Sequence, residues 1–264
     1  MPIPFTKAHG AGNDFLFTPA DQVPDVDLPS TARAICDRHT GIGADGWMLT
    51  RGNAIRLFNA DGSEPEISGN GTRCAAALLI EQEQAAGRAV DQVTIQTGAG
   101  PKRLRLLRRE GRRFWFEMNM GSPAFDQREI RCDIPLKAGA QEVTILDVGN
   151  PQCVVFVASF PPNWEALGAE IESHSRFPRR TNVSFVQVID AHTIETRFYE
   201  RGAGVTLSSG TGSTGAAVAA ILRKVAASPV TVQTPAGESL QLRWDDSVYL
   251  TGPAEITGSG EFYI

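Results

Sequence analysis

Phe58-Asn59-Ala60-Asp61-Gly62-Ser63, followed shortly by Ser68-Gly69-Asn70-Gly71-Thr72-Arg73, decides the reading of this chain, because the pattern occurs twice. The second copy is Tyr199-Glu200-Arg201-Gly202-Ala203-Gly204, followed by Ser209-Gly210-Thr211-Gly212-Ser213-Thr214. The offset is constant at 141 residues: Ser68 falls on Ser209, Gly69 on Gly210, Gly71 on Gly212, Asn59 on Glu200 and Ala75-Ala76 on Ala216-Ala217. In each copy an aromatic strand end leads into a Ser-Gly-x-Gly loop, and the loop opens a helix of small residues. Such repetition implies two related halves, and ligand sites often form between related halves.

Outward from the first loop, residues 3–8 and 14–18 read as strands flanking the turn Gly10-Ala11-Gly12-Asn13. Residues 30–38 have helical spacing, with Ser30 as the expected N-cap. Strands are expected at 47–49 and 54–59, a helix from Gly71 to about Gln84, and strands near 92–97, 103–107 and 113–119. Gly121-Ser122-Pro123 breaks the chain and marks the boundary between halves of 1–120 and 121–253, with a last strand in 254–264 returning to the first half. The second half repeats the plan. Strands are expected at 143–148, 154–157, 181–188, 193–199, 230–234, 240–244, 248–251 and 261–264, with helices at 163–173 and from Gly212 to about Ala227. The helix after the second loop, with its run Ala216-Ala217-Val218-Ala219-Ala220-Ile221-Leu222, is almost all small or apolar on one side, which implies burial nearly all round.

The chain has 264 residues, enough for one large domain or two of about half that length, and a composition ordinary for a globular protein, with 42% hydrophobic and 21% charged residues. The formal net charge is −5. The one locally basic stretch, Arg103 to Arg113, alternates with Leu and reads as a solvated strand face, not as a nucleic-acid site. No apolar run is long enough for a membrane-spanning helix, and no signal peptide is visible. Cys36, Cys74, Cys132 and Cys153 lie far apart, which argues against a disulfide framework or structural zinc and for a reducing, cytoplasmic compartment. No metal-ligand spacing and no dinucleotide fingerprint is present, so neither a metal nor an organic cofactor is expected.

A glycine loop at a helix start presents backbone N–H groups that, with the helix dipole, attract an anion. Neither loop matches a phosphate-binding Gly-Lys-Ser/Thr pattern, so a small carboxylic acid is favoured over a nucleotide. Asn13, Asn59, Asn70, Asn150 and Asn182 stand at strand ends and loop exits, where they can form a neutral hydrogen-bonding shell. Glu200-Arg201 adds one charge of each sign, suited to the ammonium and carboxylate of an amino acid.

These residues lie in stretches that resemble the diaminopimelate epimerases, cofactor-independent amino-acid epimerases. The matching stretches are Lys7–Phe15, Asp37–Gly46, Phe58–Glu64, Ser68–Cys74, Gly149–Val154, Thr181–Val188, Glu200–Leu207 and Ser209–Gly212, in order along essentially the whole chain. The resemblance implies an α/β (α+β) fold of two pseudo-symmetric halves. Each is a curled, mostly antiparallel sheet or barrel around a central helix, and the site lies in the cleft between them. It implies substrate-binding roles for Asn13, Asn59, Gly69, Asn70, Asn150, Asn182, Glu200, Arg201, Gly210 and Thr211, and a homodimer. The family uses two cysteines as acid and base on opposite faces of the α-carbon, with a histidine partnering the first. By the same matching these positions are Ser68, Ser209 and Gln152 here, and among the chemically essential positions Glu200 alone is retained. Neither Cys74 nor Cys153 falls on a catalytic position.

Three functions follow as expectations. The first is epimerisation of LL- to meso-diaminopimelate or a close relative, with an altered catalytic pair. The second is a different cofactor-independent isomerisation, a double-bond shift or tautomerisation, with Glu200 as base and the serines as hydrogen-bond donors. The third is a catalytically silent amino-acid binder. A thiol is readily shifted to thiolate, whereas a serine hydroxyl needs an adjacent base and Gln152 cannot carry a proton as histidine does.

Overall fold

The computed structural model describes residues 2–264. The elements in chain order are β1 (Pro2–Gly10), β2 (Asn13–Pro19), α1 (Leu28–Cys36), β3 (Gly46–Arg51), β4 (Ala54–Asn59), α2 (Gly69–Ala85), β5 (Gln92–Thr97), β6 (Gly100–Glu110) and β7 (Arg113–Gly121). They continue with β8 (Cys132–Leu136), β9 (Gly139–Asp147), β10 (Pro151–Phe156), α3 (Trp164–Glu172), β11 (Asn182–Asp190), β12 (Thr193–Glu200) and β13 (Gly204–Thr206). The last are α4 (Gly210–Leu222), β14 (Val230–Gln233), β15 (Ser239–Trp244) and β16 (Val248–Tyr263). The chain forms two compact units, one ending at Met118 and completed by Gly252–Ile264, the other Asn119–Thr251.

In the first unit the strand order is β1-β2-β3-β4-β5-β6-β7-β16, and β16 also pairs with β1, so eight strands close into a barrel. The β1–β2 hairpin turns on Ala11 (φ 52°) and Gly12 (φ 84°). Two consecutive left-handed residues match the right-handed twist of the flanking strands and deliver Asn13 to the first position of β2. The alternation of Arg113–Gly121 appears as strict in-out burial along β7. The helix α2 packs on β1, β2, β5 and β6. Trp47, Phe58, Leu16, Ile35 and Ile3 form a core under α1, and the Trp47 indole N–H donates to Thr18 Oγ1 at 2.9 Å.

The second unit repeats the order. β9–β10 is antiparallel, β10–β11 parallel, β11–β12 antiparallel and β12–β14 parallel across α4. The first unit has the same sequence of pairings in β1–β2, β2–β3, β3–β4 and β4–β5, the last spanning α2. The duplication read from the loops therefore extends to the strand plan. Residues Gly210–Ala220 of α4 are all buried, as its composition required. Trp164 packs edge-on to Phe185 at 5.8 Å in the core beneath α3.

Several boundaries differ from expectation for local reasons. The N-cap of α1 is Asp27, whose carboxylate accepts from the Ser30 N–H, and Pro29 sits in the first turn where its missing donor costs nothing. The helix α4 ends at Leu222, not near Ala227, because Lys224 turns left-handed (φ 59°). The two expected C-terminal strands are one continuous β16, which carries Pro253 within it. β8 is a strand that Pro135 concealed, since proline weakens the strand signal.

Candidate active site

Both Ser-Gly-x-Gly loops are helix caps, and the serine is the cap. Ser68 is extended (φ −123°, ψ 121°) and its Oγ accepts from the Gly71 N–H at 3.1 Å. Ser209 has the same conformation (φ −135°, ψ 121°), and its Oγ accepts from the Gly212 N–H at 3.0 Å. One amide that sequence reading leaves open at each helix start is thus bonded to the serine oxygen. The amides of Gly210 and Thr211, at the head of α4, have no carbonyl in a preceding turn to bond, by helix geometry. Glycine is required at the third helical position for space: a Cβ on Gly71 would run into Met48 Cε, and one on Gly212 would lie 2.8 Å from Phe198 Cδ1.

Around the first loop, hydrogen bonds form a relay with fixed polarity. The Arg73 guanidinium, which has donors only, bonds Asn70 Oδ1. Asn70 Nδ2 then donates to Asn13 Oδ1 at 3.2 Å, and Asn13 Nδ2 donates to Asp45 Oδ2 at 2.6 Å. A donor-only group at one end and a carboxylate at the other set the orientation of both amides. Asp45 is held in turn by Arg38, which bridges Asp14 Oδ1 and Asp45 Oδ1 at 2.7 Å each. Burial pushes the Asp14 carboxyl up, but its bonds to Arg38 and Lys7 outweigh this and hold it below the usual range. Burial and the Asp14 charge beside it push Asp45 above that range. Asn59 stands apart at the end of β4, half-buried, donating to Ser63 Oγ at 3.0 Å.

Around the second loop, Gln152 Nε2 donates to Asn150 Oδ1 at 2.7 Å, and Asn150 Nδ2 reaches Thr211 Oγ1 at 3.3 Å. Asn150 thus bonds the residue two beyond Ser209, as Asn13 bonds the residue two beyond Ser68. Asn182 donates to the Pro151 carbonyl at 3.0 Å and accepts from the Arg201 N–H at 3.1 Å. Glu200, at the position equivalent to Asn59, accepts through Oε1 from Thr206 Oγ1 at 2.6 Å. Ser209 Oγ is bonded within its own helix, where it accepts from the Gly212 N–H. Gln152 is fully buried and its Oε1 has no hydrogen-bond partner.

Within the first unit Asn13, Gly69 and Asn70 come together at the Ser68 cap, and within the second Asn150, Gln152, Gly210 and Thr211 come together at the Ser209 cap. Asn182 ties that cluster to Arg201. The residues that sequence reasoning passed over are Arg38, Asp45 and Asp14 on one side, Arg73 inside α2, and Thr206. Arg73 was visible as a charge at the head of the run Cys74-Ala75-Ala76-Ala77-Leu78-Leu79. Desolvation pushes the thiols of Cys36 and Cys74 up to about 12, and Cys153 higher still, while Cys132 is also raised. None of the four is a thiolate near neutrality, so none is poised to take up a proton as a base. Among the described residues there is no cluster of three or more His, Cys, Asp or Glu able to hold a metal ion, and no helix long and apolar enough to cross a membrane.

The chain is thus an eight-stranded barrel around a helix capped by Ser-Gly-x-Gly, followed by a second unit with the same order of strand pairings around a helix capped in the same way. Two solved structures share this fold: a hydroxyproline epimerase from Agrobacterium vitis (TM-score 0.71, 14% identity, covering 98% of this chain and 90% of that one) and a PhzF-family phenazine biosynthesis protein from Bacillus anthracis (TM-score 0.65, 16% identity, covering both chains fully). The family model for diaminopimelate epimerase matches residues 5–125 and 144–257. A diaminopimelate epimerase of Pelotomaculum thermopropionicum is 39% identical over 278 residues, covering 98% of each chain. The chain belongs to the diaminopimelate epimerase family and is an isomerase of that kind.

Proposed function

We propose that the chain interconverts LL- and meso-diaminopimelate or a close relative, and that Ser68 and Ser209 are the groups that exchange the α-proton. The observation that carries this reading is the matched capping of two duplicated helices by serine in a chain that aligns end to end with named epimerases. The amides at each helix start favour a carboxylate, while Asn59, Asn182, Glu200 and Arg201 supply groups for the distal ammonium and carboxylate.

The chemistry is slow for a stated reason. An alkyl hydroxyl is about as weak an acid as water, far weaker than a thiol, which sits at ~8.5. A helix start lowers either by only ~1–2 kcal/mol, about one pKa unit or slightly more. That brings a thiol to neutrality and leaves a serine far above it. The base form of serine is therefore scarcer by about seven orders of magnitude, and the stronger basicity of the alkoxide returns only part of this.

Deuterium incorporation at the α-carbon of LL-diaminopimelate in D2O, at high enzyme concentration, tests the proposal. Slow incorporation, abolished by Ser68→Ala or Ser209→Ala, supports it. A second reading, an amino-acid binder without turnover, is favoured by Gln152, which is fully buried beside the second loop and has no group that can carry a proton. Tight binding without any incorporation decides for that reading. Incorporation lost in Glu200→Gln but retained in both alanine variants points instead to Glu200 as the base.

A further inference from the structure

Arg73 is wholly buried, yet among the described residues it has no carboxylate partner. Its guanidinium bonds the carbonyls of Pro253 at 3.1 Å and Gly69 at 3.3 Å, and the Asn70 side chain. Desolvation lowers its pKa to about 10, so it remains a cation at neutral pH. A buried charge without a counter-ion is costly. The repeat shows that the helix start does not need it. The residue at the equivalent position of α4 is Thr214, which donates to the Gly210 carbonyl at 2.8 Å, as Arg73 does to Gly69. A neutral hydroxyl performs that local task in one copy, so the charge in the other has a different use.

Its surroundings indicate the use. Arg73 lies one turn inside α2, behind the amides of Gly69 and Asn70, where the helix dipole is already positive. The neighbouring Cys74 is held as a neutral thiol. The nearest carboxylates in the hydrogen-bond relay, Asp45 and then Asp14, are two amides away through Asn70 and Asn13. Pro253 of β16 contributes only a carbonyl.

We propose that Arg73 is a positioning residue that makes the first loop the stronger carboxylate site, acting through Asn70 and the start of α2, whereas the second loop carries no such charge. This rests on the amino-acid reading given above. The carboxylate on the reacting carbon is drawn to the Ser68 side, and the extra negative charge it acquires when the α-proton leaves is stabilised by a cation that water cannot screen.

Calorimetry of LL-diaminopimelate with the parent, Arg73→Gln and Arg73→Lys tests this, with circular dichroism confirming the fold. At an effective dielectric of about 20, a charge a few ångströms behind the loop is worth a factor of ten or more in affinity. Arg73→Gln is expected to bind at least tenfold more weakly. Arg73→Lys keeps the charge but titrates when buried. Its affinity relative to the parent is therefore near one at about pH 6 and falls as pH rises through the lowered lysine pKa. A Gln variant within twofold of the parent, or a Lys variant as weak as Gln at about pH 6, overturns the inference. Should Arg73→Gln fail to fold, the Lys variant decides alone: a pH-dependent ratio supports the charge and a flat one refutes it. If the parent itself does not bind LL-diaminopimelate, the proposed function fails; if the parent binds and the variants do not differ, only this inference does.

Discussion

Replacing the cap oxygen by sulfur should create a thiolate at neutral pH on one loop and a weaker acid on the other. In Ser68→Cys the introduced thiol inherits the Gly71 N–H at the head of α2. The helix start contributes ~1–2 kcal/mol to the anion. A hydrogen bond to a charged acceptor is worth ~1 kcal/mol more than one to a neutral acceptor. Together these are about 2–3 kcal/mol, or about 2 pKa units, taking the thiol from about 8.5 to about 6.5–7. The same terms act on Ser209→Cys through the Gly212 N–H. Ser209, however, is only 2% exposed whereas Ser68 is partly exposed. Desolvation returns about one unit there, and the thiol is expected near 8. The assay is ultraviolet absorbance of the thiolate against pH, with the parent subtracted. The native cysteines stay silent in this range because burial has raised them. Refutation is direct: a Ser68→Cys thiol at or above about 8.5, or a Ser209→Cys thiol more acidic than that of Ser68→Cys, means that the caps do not stabilise an anion as described.

Other outcomes follow from the same geometry. Ser68→Ala and Ser209→Ala each remove a side-chain cap and should cost about 1 kcal/mol in urea unfolding, while Ser→Gly costs only a few tenths. Gly41→Ala should destabilise more than Gly71→Ala in thermal melts, because the new Cβ would meet the backbone carbonyls of Ala34, Ile35 and Asp37 rather than the flexible end of Met48. The depressed Asp14 carboxyl contributes stability that is complete above its unfolded pKa of about 3.9 and is lost as pH falls through its lower folded value. Arg38→Gln removes a partner that holds it down, so the acid-unfolding midpoint should move to higher pH.

The repeat was legible because small residues and glycine at fixed offset leave few alternatives to a helix start, and the strand plan followed from alternation such as that in Phe114–Met120. What could not be read was the partner of each polar group. Asn13 and Asn70 stood out as asparagines beside glycine, but their connection through Asp45 and Arg73 depends on pairings 32 and 57 residues apart in sequence. The serines were read as loop residues of altered chemistry; that each spends an oxygen lone pair on its own helix is a matter of backbone conformation, which sequence spacing does not carry. Arg73 was missed because an apolar helix pattern tolerates one charge without losing its period.

The central claim is that the loops retain an epimerase-type binding shell and lack only the acidity of the thiols. Solvent-deuterium incorporation at the α-carbon of LL-diaminopimelate, compared between the parent and the combined Ser68→Cys, Ser209→Cys, Gln152→His variant, tests it most directly. The account predicts a gain on the order of 10²–10⁴ in the triple variant, the range that a positioned acid–base pair supplies. A variant that folds and binds the substrate but incorporates no more deuterium than the parent would contradict it.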